Sequence, residues 1–262
     1  MMLSTRVPVH QPSRSARRAA APAPRRALQV VCHGHGHGHG GSASAVLTEK
    51  DKGFIAEMRK VAMKLHTREQ APKEGGKEAP KQQGPWTPTR PGYLRFLTES
   101  KVVFDTFERI IATNDEYKAF RNTGLERSQA LSDDLNYFRL VYHMSTPQLK
   151  QDGPGMKYAQ TLEKLAREDP PAFICHYYNF YFAHTAGGRM IGNKVAGMLL
   201  GGHTLAFYKW RGDVAEHLEA VRRSLNQMAE GWSDQQRQHC LAETEATFGQ
   251  AGQILRCITA AN

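Results

Sequence analysis

No aspartate or glutamate occurs before Glu49. The first 32 residues hold six arginines (Arg6, Arg14, Arg17, Arg18, Arg25 and Arg26) and much Ala, Ser and Pro, but no long apolar run. Lacking that run, they are neither a secretory signal nor a membrane span. An Arg-rich, acid-free, hydroxylated leader is the composition of an organelle transit peptide. The short LQVVC ending at Cys32 reads as its processing region, and composition alone does not separate plastid from mitochondrion. The net charge of +10 is therefore uneven. Six of the 35 Lys and Arg lie in the leader, so 29 face 25 acids in the remainder, an excess of only four. A basic pI is thus no sign of nucleic-acid binding here.

Cysteine is equally sparse. Cys32, Cys175, Cys240 and Cys257 show no CxxC and no zinc spacing. The last three read as reduced thiols filling the core. Alternating strand patterns of useful length and internal repeats are missing too. Four of the twelve histidines crowd into HGHGHGHG, residues 33–40. Histidine is a common metal ligand, but alternating glycines give the run no fixed geometry. It reads as a solvated linker over 33–46, between a leader at 1–32 and a folded domain at 47–262.

From Leu47 the pattern is helical. In TEKDKGFIAEMRKVAMKLHT, Thr48 suits an N-cap, and Phe54, Ile55, Met58, Val61, Ala62 and Leu65 share one face. Residues 70–92 form a Pro/Gly/Lys loop. Helical runs follow at 93–114, 116–123, 128–143, 156–169, 170–201, 212–229 and 233–258, with Pro171 suited to a first turn and Ser233 to a cap. The fold class is all-α, one domain.

Two helices depart from ordinary core. In the first, His66 lies at the edge of the stripe of Met58 and Ala62, with Arg59 seven residues before it, about 10 Å along the axis. A histidine there is most often a satisfied boundary residue; an iron ligand with a carboxylate anchor at that separation would suit a haem. The second is YYNFYFAHTAGGRMIGNKV, residues 177–195, where Gly187, Gly188 and Gly192, then Gly197, interrupt an apolar helix. Each costs about 1 kcal/mol relative to alanine. Close helix packing explains them, and so does a flat ligand against the backbone or a bend; periodicity leaves both open. Phe180, Ala183, His184, Gly187 and Ile191 fall on one face of a regular helix.

These residues carry a resemblance. GFIAEMRKVAMKLHTREQ, WTPTRPGYLRFLTESKVVFDTFERI, FRNTGLERS and YYNFYFAHTAGGRMIGNKV resemble, in order over residues 50–258, the plastid haem oxygenases of plants and algae. The pairing of LHT with FAHTAGGRMIG is the specific part. The resemblance implies haem b, substrate and cofactor at once, sandwiched between a proximal and a distal helix. His66 matches the proximal iron ligand, and Gly187 and Gly188 match the distal glycines that allow close approach over the iron. Ala183 stands where animal and many bacterial members have glycine. His184 stands where they have the aspartate that orders distal water. Arg59 and Tyr178 match propionate contacts, Arg222 a basic contact for which Arg223 is the alternative register, and Phe248 a pocket aromatic.

The activity implied is cleavage of haem at the α-meso carbon to biliverdin IXα, CO and ferrous iron, with O2 and electrons from reduced ferredoxin in the chloroplast stroma. A bilin reductase would take the product downstream. No membrane span and no nucleic acid are expected, and the chain is expected to be a monomer. Lys52, Arg59, Lys60, Lys64, Lys194, Lys209, Arg211, Arg222 and Arg223 could form a basic rim that steers an acidic ferredoxin; an ordinary solvated basic surface explains them equally. The rival readings are a non-catalytic haem or bilin carrier on this fold, a metal handler working through the histidine run, and a purely structural helical module.

Overall fold

The computed structural model describes residues 52–70 and 86–259, except the side chains of 66–70. The leader, the histidine run, the Thr48 cap and most of the 70–92 loop lie outside the described residues. All described residues belong to one compact unit, Ala45–Asn262. They form eight α-helices: α1 (Gly53–Gln70), α2 (Arg90–Thr113), α3 (Ser128–Tyr142), α4 (Pro154–Glu168), α5 (Pro170–Ala183), α6 (Arg189–Leu199), α7 (Val214–Glu230) and α8 (Asp234–Leu255). No strand occurs among the described residues, as the sequence led us to expect.

The ends of these helices follow from local chemistry. Thr89 accepts from the Gly92 N–H and Pro91 occupies the first turn of α2. Asp169 accepts from the Ala172 N–H at the start of α5, with prolines in its first turn. Ser233 and Gln236 form a reciprocal capping box at α8, which satisfies two otherwise orphaned donors. Asn226 of α7 takes the Ile55 N–H at 3.0 Å and so ties down the start of α1.

α5 is buried all round, from Pro171 through Asn179, as befits a helix apolar on every side. It packs against α8 on one side and α4 on another. Phe104 and Phe107 of α2 meet Phe180 and Tyr181 of α5 with centroids 5.0–5.8 Å apart. His176 lies at the centre of the α4–α5–α8 contact. Its Nδ1 accepts from the Tyr158 hydroxyl at 2.8 Å, and its Nε2–H donates to Glu243 at 3.1 Å. That bond holds the Glu243 carboxyl below its usual range.

The structure corrects two sequence expectations. Residues 116–123 form not an α-helix but a six-residue 3-10 helix, Asp115–Phe120. Residues 170–201 are not one regular helix: a π turn, His184–Gly188, joins α5 to α6. The Arg189 N–H bonds to the His184 carbonyl five residues back. Such turns are rare and recur at functional sites.

Candidate active site

The π turn floors a cleft of about 450 Å³, within the range of roughly 300–1,000 Å³ typical of small-molecule and cofactor sites. Tyr178, Asn179, Phe182, Ala183, Thr185, Ala186 and Arg189 line it from below, Arg59, Ala62 and Met63 of α1 from one side, Val214, Ala215, Leu218 and Arg222 of α7 from another, and Phe248 of α8 at one end. Five of the residues singled out in the sequence therefore converge: Arg59, Tyr178, Ala183, Arg222 and Phe248. Arg223 is exposed and does not line the cleft, so Arg222 holds the register.

One corner of this cleft is built for an anion. The Arg222 guanidinium lies over the Phe182 ring, 4.9 Å from its centroid, and bonds Glu219 through Nη1 at 2.9 Å. Its Nε is buried with no acceptor among the described residues. Burial pushes the Tyr178 phenol up, while Arg222 beside it and Arg59 pull it down. Two guanidiniums and a phenol thus face the same space, and Tyr178 stacks on Phe182 at 4.1 Å. A planar apolar ligand carrying carboxylates fits: an apolar floor and walls, with charge-assisted donors at one edge.

The distal glycines separate into two roles. A Cβ placed on Gly187 meets no protein atom within 4 Å, so packing does not require glycine there. A Cβ on Gly188 would fall 2.9 Å from His184 Nδ1, so the imidazole itself requires glycine at 188. Neither glycine is among the cleft-lining residues. His184 departs furthest from expectation. Its ring is buried behind the floor, stacked on Phe207 with centroids 3.9 Å apart. Nε2 lies 2.8 Å from the Phe207 carbonyl, which can only accept, so Nε2 carries the proton. Burial pushes the imidazole down to about 3, so it is neutral at neutral pH. The expectation that His184 reaches into the cleft to order water is corrected: one nitrogen is committed to Phe207 and the other faces Gly188. The π turn is the physical reason, because its extra residue displaces the face a regular helix would present.

His66 belongs to α1, but its side chain lies outside the described residues. Sequence reasoning missed Arg189, Phe182 and Asp134. Phe182 and Arg189 stand four and eleven residues after Tyr178, helical spacings that could have found them. Asp134, described below, gave no local signal. Among the described residues no group of three or more His, Cys, Asp or Glu could hold a metal ion.

Comparison with known proteins agrees with this geometry. The family model for heme oxygenase matches residues 77–257. The chain is 50% identical over 216 residues to "Heme oxygenase 1, chloroplastic" of Arabidopsis thaliana, covering 80% of this chain and 75% of that protein. The rice protein of the same name is 50% identical over 216 residues, covering 80% of this chain and 72% of its own length. In fold, the chain resembles heme oxygenase-1 of the cyanobacterium Synechocystis, solved in complex with heme, with a TM-score of 0.61 at 16% identity over 78% of this chain and 91% of that one. The chain belongs to the heme oxygenase family.

Proposed function

We propose that this chain cleaves haem at the α-meso carbon, giving biliverdin IXα, CO and ferrous iron, with O2 as oxidant and reduced ferredoxin as electron donor. The observation that carries the reading is the cleft itself, apolar along its floor and closed at one edge by Arg59, Tyr178 and Arg222. Haem degradation and haem binding accord with membership of the family; the meso position, the donor and the residue roles are our reading. Haem supplies the redox iron and the porphyrin edge that is oxidised.

The residues of the chain bind, orient and exclude water. Arg222 and Arg59 offer charge-assisted donors to the propionates and so fix which edge of the ring faces the floor. Tyr178 adds a neutral donor. Phe182, Ala183, Ala186, Leu218 and Phe248 keep the plane dry. Gly187, with no neighbour that a Cβ would strike, suits close approach of backbone to ligand. His66 is assigned as the proximal ligand: position 66 continues the spacing of Arg59, Ala62 and Met63 along α1. His184, buried and neutral, does not supply a proton; backbone groups of the floor and ordered water are left for that task.

The names of the relatives place them in the chloroplast, and we assign this chain to the plastid stroma, with the leader at 1–32 as its transit peptide and 33–46 as a linker. Among the described residues no helix is long and apolar enough to cross a membrane. A monomer fed by an acidic ferredoxin, passing its product to a bilin reductase, completes the reading. The experiment is optical. A chain starting at residue 41 is loaded with one equivalent of haemin and supplied with ferredoxin, its reductase and NADPH in air. Decay of a histidine-ligated haem spectrum to biliverdin supports the enzyme and makes the HGHGHGHG run dispensable. Haem that binds and persists makes the protein a carrier.

A further inference from the structure

Behind the cleft floor lies a polar chain that the reading above does not use. Asp134 of α3 is 3% exposed. Its two carboxylate oxygens accept from the backbone N–H groups of Ala206 at 2.8 Å and Phe207 at 2.7 Å, more than seventy residues away. Those residues open the short 3-10 turn Ala206–Tyr208. The carbonyl of Phe207 is the acceptor for His184 Nε2–H at 2.8 Å, and its ring is the surface on which the imidazole stacks. The other face of the turn is held as closely. The Tyr208 hydroxyl pairs with that of Tyr93 at 2.9 Å, and a Cβ on Gly192 would fall 2.5 Å from the Tyr208 ring.

We propose that Asp134 is a positioning residue for haem cleavage: it fixes the Ala206–Tyr208 turn, and through Phe207 the imidazole of His184, so that the π turn keeps its cleft-facing wall in place. The inference rests on the proposed function. A carboxylate is the group this geometry needs. Two N–H donors converge on it, and an asparagine would offer one acceptor and turn an NH2 group towards the other donor. Burial pushes the Asp134 carboxyl up to about 6, a cost the two backbone bonds oppose. Carboxylate, amides, carbonyl and imidazole run in series without a gap. A displacement of Phe207 must therefore move His184, and His184 begins the π turn whose next residues, Thr185 and Ala186, line the cleft.

The test uses the full chain with Asp134→Asn, Ala206→Pro, His184→Gln and His184→Asn. Ala206→Pro removes one of the two donors without touching Asp134. Ala206 is the first residue of the turn and Leu205 before it is extended, a position that tolerates proline. Glutamine places its amide where Nε2 stands and can still donate to Phe207; asparagine falls short. One readout needs no haem: 15N NMR of the imidazole in the apoprotein. His184 should appear as the Nε2–H tautomer in the parent chain and change in both Asp134→Asn and Ala206→Pro. With haem, those two variants and His184→Asn should spread cleavage over more than one meso carbon while KM for haem stays within a few-fold. His184→Gln should keep a single bilin isomer. An unchanged His184 signal with a single isomer in Asp134→Asn and Ala206→Pro overturns the proposal. So does a His184→Gln that spreads its products as widely as His184→Asn. If the parent chain does not cleave haem, the functional reading fails, yet the apoprotein spectra still decide whether Asp134 governs His184.

Discussion

Arg222 and Gly187 are the residues at which binding and stability pull apart. Arg222 sits over Phe182 with its Nε lacking an acceptor, a donor held ready for an anion. Charge-assisted bonds are worth about 1.5–3 kcal/mol, so Arg222→Leu should weaken haem affinity by about one to two orders of magnitude, measured by haemin titration. Tyr178→Phe should lose roughly tenfold at most, as a neutral bond does. Equal losses in the two variants would argue against an anion corner. Gly187→Ala should behave oppositely in the two assays. A helical Gly→Ala gains up to about 1 kcal/mol where nothing is struck, so the apoprotein melts higher, while haem affinity drops because the new Cβ faces the ligand. Gly188→Ala should lower the melting temperature, because its Cβ would meet His184 Nδ1 and overpacking costs about 1–3 kcal/mol. A rise in both melting temperature and haem affinity for Gly187→Ala would remove the reason for a glycine there.

At the scale of elements, α5 is gripped from both sides through His176. Removing the imidazole leaves the Tyr158 hydroxyl and Glu243 without their shared partner. His176→Ala should therefore cost about 2–4 kcal/mol, through lost packing and buried unsatisfied groups; a change under 1 kcal/mol by chemical denaturation would show that water replaces the ring without penalty. Much of this architecture was legible in the sequence. Helical period and cap residues located α2, α4, α7 and α8 to within a few residues, because Thr89, Asp169 and Ser233 act locally. The cleft residues Arg59, Tyr178, Ala183, Arg222 and Phe248 followed from the resemblance. The π turn did not, since a period-3.6 reading has no place for one extra residue, and that placed His184 on the wrong face. Nor did Asp134, whose partners at 206 and 207 are distant in sequence, so that no spacing could announce them.

The whole molecule carries two buried groups with opposed responses to acid. His184 stays neutral when folded, down to about 3, whereas the unfolded chain takes up its proton below the ordinary 6.5. Stability is therefore lost as pH falls across that window. Asp134 does the reverse: the folded form binds a proton from about 6, the unfolded chain only near 3.8, so stability is gained as pH falls between those values. Each contributes a slope of about 1.4 kcal/mol per pH unit, and between roughly pH 4 and 6 they offset each other. Asp134→Asn should leave the His184 slope uncompensated, so its melting temperature should fall more steeply over that range than that of the parent chain. Parallel curves would rule this out. One feature ties the two halves of the molecule into register. The π turn works as a phase shifter: upstream, Tyr178 and Phe182 point to the cleft; downstream, Gly192 is aimed at Tyr208. Deleting a single residue within 184–188 would restore an unbroken α-helix and rotate everything after it by about 100°, swinging Gly192 off the Tyr208 ring. The length of that five-residue stretch is thus as constrained as its composition, and single-residue deletions there should be tolerated far less than deletions in a surface loop.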